Sequence, residues 1–147
     1  METNITMHFT IEEMYASDTA TRLGINNKPS TQQMINLVYL CAFVLEPLRV
    51  AMGKPINISS GFRCPQLNKA VGGVYNSQHL KGQAADIDIQ GDMAFGRKIF
   101  DYIRDHLPFD QLIWEHNKGG TYWVHVSFVF PDFGKNRKQV IDNLLKK

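Results

Sequence analysis

Cysteine is scarce in this chain, with only Cys41 and Cys64 among 147 residues. Cys41 lies in an apolar run and Cys64 in a Gly-Phe-Arg-Cys-Pro segment. Neither their number nor their spacing supports a disulfide framework or a cysteine-built zinc site. An excess of one charge is also lacking. The 16 Lys and Arg against 14 Asp and Glu leave a formal net charge of +2, too little to indicate a nucleic-acid partner. Basic residues gather only in a modest tail run, Lys135, Arg137, Lys138, Lys146 and Lys147, which reads as the solvated face of a last helix. No apolar run has bilayer length: Met34 to Leu48 is short for a span and contains Glu46 and Pro47. Met1 to Glu13 lacks a basic start followed by an apolar stretch, so no signal peptide is expected. A substrate beyond the cytoplasm would need another delivery route. No repeat or low-complexity linker divides the chain, and residues 1–147 are expected to form one domain. A domain of this size can bury a core without a structural metal, so any metal is expected to serve chemistry.

What the sequence does contain is helical periodicity first and strand patterns later. Residues 1–8 read as a loose lead-in. Thr10 with Glu13 and Ser30 with Gln33 have capping-box spacing, and Gly24 has the place of a helix stop. Met34, Leu37, Val38, Cys41, Val44 and Leu45 repeat at helical spacing up to Pro47, which must kink the helix or open a new one. Strands are expected over 55–60, 84–89, 111–115 and 122–129, and helices over 66–71 and 93–106. Lys118-Gly119-Gly120 should join the last two strands as a hairpin, and the tail from Lys135 should form a final helix. The fold class that follows is α+β, a small mainly antiparallel sheet with flanking helices.

The chemistry concentrates in Ser77-Gln78-His79-Leu80-Lys81-Gly82-Gln83-Ala84-Ala85-Asp86. A histidine precedes Gly-x-Ala, and a carboxylate follows at the start of a strand whose direction fixes it. Zinc accepts both donor types. Alone, the pair is more often hydrogen-bonded than metal-bound. His125, in Tyr-Trp-Val-His-Val-Ser, adds a third donor from a separate element. Three protein ligands leave a coordination position open for water, as in catalytic zinc sites.

Ser77-x-His79-x-x-Gly82-x-Ala84-x-Asp86, followed by Trp123-x-His125, resembles the zinc D-Ala-D-Ala carboxypeptidase family. That family includes phage endolysins and D-Ala-D-Ala dipeptidases, and its wider fold group contains lysostaphin-type peptidases and the hedgehog signalling domain. Ile58 to Arg63 resembles its SGxR element and Asp110 to Glu115 its penultimate strand. The likeness covers roughly 30–130. It implies His79, Asp86 and His125 as zinc ligands, Arg63 as the group that holds a substrate carboxylate or carbonyl, and Ser77 in the same pocket. Taken alone, Arg63 reads as a surface salt bridge and Ser77 as a turn cap. Many relatives carry a Glu three residues before the last histidine, where this chain has Tyr122. Glu115 is the favoured general base in its place. It shares a sheet face with His125 if the hairpin sets it opposite Trp123, and a one-residue slip would turn it away. His116 is a weaker candidate. Trp123 packs beside substrate or fills core, and Asp88 is a supporting partner of the site or an exposed charge.

The resemblance implies a zinc metallopeptidase acting on D-amino-acid-containing stem or cross-link peptides of peptidoglycan, reached after release or as part of a phage. The alternative is a non-catalytic cell-wall or protein-binding module on the same fold.

Overall fold

The computed structural model describes residues 2–131 and 133–144. Its helices are α1 (Asp18–Leu23), α2 (Thr31–Leu40), α3 (Glu46–Met52), α4 (Pro65–Ala70) and α5 (Met93–His106); its strands are β1 (Asn57–Ser60), β2 (Ala84–Asp88), β3 (Gln111–His116), β4 (Tyr122–Ser127) and β5 (Gln139–Asp142). The strands form one sheet in the order β1-β2-β4-β3-β5. The first three pairings are antiparallel and β3 pairs with β5 in parallel, so the architecture is α+β with a mixed sheet.

Local signals account for most of the helices. Ser30 and Gln33 close a reciprocal capping box at the start of α2. Pro47 lacks an N–H, and its ring would strike the carbonyl one turn back in a regular helix. The chain answers with a π segment, Cys41–Leu45, in which the Glu46 N–H reaches back to the Cys41 carbonyl. Helix therefore continues unbroken from Thr31 to Met52, 22 residues with a mean hydropathy of 1.6 in its most apolar window. That is long and apolar enough to cross a membrane by length and composition, which corrects the expectation from Met34 to Leu48 alone. Its apolar stripe of Leu37, Leu40, Cys41, Val44, Leu45 and Leu48 lies in the protein core. Burial pushes the Cys41 thiol up, so it packs there as a hydrophobe. No disulfide links it to Cys64.

Strand alternation divides the sheet into two unlike faces. Ala85 and Ile87 of β2, Val124 and Val126 of β4, and Leu112 and Trp114 of β3 are fully buried against the helices. Ile99, Phe100 and Ile103 of α5 belong to the same core. The opposite face carries Asp86, His125, Ile113, Glu115 and Trp123, which line an open cleft.

Two further expectations need correction. The lead-in is not loose: Asn4 bridges Thr10, Ile11 N–H donates to the Thr3 carbonyl, and Thr10 and Glu13 exchange hydrogen bonds ahead of a 3-10 turn, Glu12–Met14. The tail is not a helix with a solvated basic face. After a 3-10 turn, Phe133–Lys135, Lys138 takes a left-handed φ of 57°, which a helix cannot contain, and Gln139 opens β5. Arg137 grips Asp110 through Nε and Nη2, each at 2.9 Å, and Lys138 Nζ donates to the Leu107 carbonyl. Asn143 donates to the Trp114 carbonyl, and Arg97 binds Asp142. Lys146 and Lys147 lie outside the described residues.

Asp110 ties this tail to the sheet and offers the first test. Its carboxylate is nearly buried and also accepts from the Arg137 backbone N–H and from Gln78. Burial alone would raise its carboxyl, but these donors outweigh burial and hold it below the usual carboxylate range. A lowered folded-state value stabilises the protein at pH above the unfolded value, near 4, and this contribution is lost as pH falls through the folded value. Asp110→Asn is expected to cost about 2 kcal/mol at neutral pH. In thermal melts across pH, its gap from the wild type should close below about pH 4. A gap that stays constant down to pH 2 would contradict this account.

Candidate metal centre

Three rows of side chains cross the cleft face of the sheet. Register places Asp86 beside His125 and His125 beside Ile113, so these form the middle row. Asp88, Trp123 and Glu115 form the row on one side. Ala84, Ser127 and Gln111 form the row on the other, with the Gln111 N–H on Ser127 Oγ. The hairpin does set Glu115 opposite Trp123, so Glu115 shares a face with His125.

His79 reaches the middle row from a 3-10 turn, Gln78–Lys81. The Ser77 hydroxyl accepts the His79 N–H at 3.1 Å, capping the turn while Ser77 also lines the cleft. Gly82 ends the turn at φ 72°, and a Cβ there would lie 2.5 Å from the Gln33 carbonyl oxygen, so only glycine lets the turn seat against α2. On the other side, Gly61 packs so closely on Met14 that a Cβ would fall within 2.1 Å of its carbonyl oxygen. The Gly61 carbonyl accepts from His79 Nδ1 at 2.7 Å. A carbonyl can only accept, so the proton sits on Nδ1 and Nε2 presents a lone pair.

That Nε2 is buried without a hydrogen-bond partner and lies 3.3 Å from Asp86 Oδ1. His125 Nδ1 lies 3.0 Å from the same oxygen. The three ligand atoms fall within 4.8 Å of one another, and all three residues are buried. A lone pair facing a carboxylate oxygen across a dry gap is repulsive unless a proton or cation stands between them. Two imidazole nitrogens and a carboxylate oxygen converging in this way fit a zinc ion with one position open to the cleft. Burial by itself would raise the Asp86 carboxyl. Positive charge and N–H donation from the His79 and His125 rings outweigh it and hold the carboxyl well below the usual carboxylate range, which requires a proton or a cation between Nε2 and the carboxylate in place of the bare lone pair.

Arg63 stands over this centre. Its Nε donates to Ser60 Oγ at 3.0 Å, Nη1 to Asn68 Oδ1 at 2.9 Å, and Nη2 approaches Asp86 Oδ2 at 3.5 Å. Three of the five N–H donors of a guanidinium are thereby occupied, and the others remain for a ligand. Burial draws its pKa down, opposed by the charges of Asp86 and Glu115, which places Glu115 within electrostatic range of the site.

The cleft has a volume of about 960 Å³ and is lined by all seven site residues named from the sequence: Arg63, Ser77, His79, Asp86, Glu115, Trp123 and His125. The Trp123 side chain lines the cleft, and its indole N–H is buried with no hydrogen-bond partner among the described residues. Tyr122 and His116 pair with each other on the opposite face, so neither reaches the centre. Asp88 caps its own turn by accepting the Gln90 N–H at 2.8 Å. His106 and His8 lie away from the cleft, the latter bonded to Glu46.

The supporting residues were not foreseen. Asn27 is buried and holds the Arg63 loop from three sides, donating to the Tyr15 and Phe62 carbonyls and accepting the Cys64 N–H. Asn68 joins Arg63 to the Val74 carbonyl. An Asn in a turn-rich stretch and another in a short helix carry no sequence mark that separates them from ordinary turn or surface residues.

A 44-residue segment, 29% of this chain, is 50% identical to the zinc D-Ala-D-Ala carboxypeptidase of Streptomyces albus G, spanning 17% of that protein's length. Residues 7–127, which include the three donors, Arg63 and Glu115, match Peptidase M15. On a match over most of its length, the chain belongs to the Peptidase M15 family.

Proposed function

We propose that this chain is a zinc-dependent peptidase that hydrolyses a peptide bond beside a D-amino acid in peptidoglycan stem or cross-link peptides. The carrying observation is the His79–Asp86–His125 cluster, whose bare, buried Nε2 faces a carboxylate at the floor of an open cleft. Membership of Peptidase M15 and the partial likeness to a zinc D-Ala-D-Ala carboxypeptidase support the reaction class. In this reading the chain acts as a single peptidase unit of the hedgehog-type fold group. It meets its substrate at the cell wall, after release or as part of a phage.

Zinc, which His79, Asp86 and His125 would hold, would supply a Lewis acid for the scissile carbonyl and lower the pKa of water. The protein does the rest. Asp86 and the two imidazoles are fixed by β2, β4 and the Gly61 carbonyl before any ligand arrives. Glu115, one row from His125, takes the proton of the attacking water and returns it to the leaving amine. Of the two carboxylates in that row, Glu115 lines the cleft, whereas Asp88 accepts the Gln90 N–H. Arg63 holds the substrate carbonyl or carboxylate with its unoccupied donors. Trp123 offers its N–H and ring beside the bound peptide.

Two measurements test this. Purified protein supplied with zinc should carry about one ion per chain by mass spectrometry, and His79→Ala should lose it while keeping its circular dichroism. Equal zinc in both would show that the cluster is not the site. Glu115→Gln should then lower kcat on peptidoglycan peptides by about 10²- to 10⁴-fold with zinc content unchanged. Undiminished turnover would remove Glu115 from the chemistry. Zinc binding with no wall peptide cut would leave the non-catalytic binding module as the better reading.

A further inference from the structure

We propose that Arg137, with Gln78 beside it, forms a carboxylate-binding subsite at the end of the cleft away from Glu115. This rests on the peptidase reading of the same cleft, and names a feature its substrate must carry.

Arg137 lies beyond the residues that match the family, and it reaches the cleft because the tail folds back as β5 along β3. Asp110, which orients it, precedes Gln111, the residue at the Ser127 end of the cleft face. Successive rows on one sheet face are about 7 Å apart. Asp110 lies at the Ser127 end of β3, and the guanidinium it holds lines the same cleft as the three donors. Glu115 and Trp123 occupy the row on the other side.

The pair is built with its positive end outward. The Asp110 side chain is 4% exposed, whereas that of Arg137 is 59% exposed. Asp110 fixes Arg137 through Nε, Nη2 and the backbone N–H. Arg137 Nη1 makes no hydrogen bond among the described residues. Gln78 donates to Asp110 Oδ2 at 3.0 Å, the oxygen that Arg137 Nη2 also meets, and lines the cleft. A guanidinium held still at its inner edge and open at its outer edge suits a carboxylate. Arg63 is placed differently, with its side chain 13% exposed and bound to Asp86, Ser60 and Asn68. The cleft thus holds one cation at the reacting centre and a second displaced along it. A substrate carboxylate of either origin would suit the second, a free C-terminus or an acidic side chain.

The experiment compares wild type, Arg137→Gln and Arg137→Lys, all zinc-loaded, on three peptides: N-acetyl-Lys-D-Ala-D-Ala, its C-terminal amide, and the amide with D-Glu as the last residue. Arg137→Gln is expected to raise KM about tenfold for a carboxylate-bearing peptide, with kcat within about twofold and the plain amide unaffected. Loss on the free acid alone identifies a C-terminal carboxylate, and loss on the D-Glu amide alone a side chain. Arg137→Lys keeps a charge for Asp110, and so the anchored tail, but not the fork, and should raise KM by about threefold. Equal losses on all three peptides would mean that Arg137 only anchors the tail and would overturn the subsite, as would an unchanged KM. If wild type cuts none of them, the peptidase reading fails separately, and direct binding decides the subsite. The Arg137 Nε–H resonance should then shift on titration with the free acid or the D-Glu amide and not with the plain amide. No shift, or the same shift with all three, would overturn it.

Discussion

One carboxylate organises this molecule. Asp86 sits on the second strand of the sheet, nearly buried, and its two oxygens are faced by His79, His125 and Arg63. A lone buried carboxylate would be costly, so the groups around it must be held at fixed distances by something other than the carboxylate. The sheet register supplies one of them, because His125 lies directly opposite Asp86 on β4. The other two come from loops, and much of the structure outside the core serves to hold those loops in place.

The loop devices share a logic. His79 is held on its far side by the Gly61 carbonyl, and Gly61 can approach only because it lacks a Cβ against Met14. Gly82 lets the His79 turn seat against α2. Asn27 then binds the segment between Gly61 and Cys64. Backbone carbonyls and amides, rather than long flexible side chains, set the positions, so little rotamer freedom remains to be lost when a ligand arrives. That is the arrangement a preformed site needs.

How much of this could be read from the sequence follows the range of the interaction. Helix α5 and the four antiparallel strands follow from local period and turn residues, and the hairpin register that brings Glu115 to the His125 face was one of two that such a loop allows. The donors were legible through the family resemblance that the ordered motifs carry, since His79 and Asp86 alone read as a hydrogen-bonded pair. The tail was misread because Arg137 and Lys138 look like a solvated helix face until Asp110 and the Leu107 carbonyl are near. Val140 and Ile141 were the only strand signal there, a run too short to outweigh the charges around it. The π segment had a visible cause in Pro47, but whether a proline breaks a helix or widens it depends on the core that grips both sides. Asn27 and Asn68 act wholly through partners distant in sequence or loop geometry, and nothing local marks them.

The sheet order shows how such a chain can vary its substrate without disturbing its chemistry. Asp86 and His125 occupy β2 and β4, interior strands whose neighbours fix them on both sides, and the His79 turn is seated against α2 and the Gly61 carbonyl. Strand β5 is added at the edge, next to β3, and Arg137, two residues before it, brings the tail to the cleft. A change in the tail alters what stands at the end of the cleft, while the spacing of His79, Asp86 and His125 is set elsewhere. The reverse is not true: a slip of β4 by one residue would carry His125, Trp123 and Ser127 to the buried face together. The fold therefore places the constrained residues where register is hardest to change, and leaves the recognition of the rest of the peptide to the edge strand and the loops.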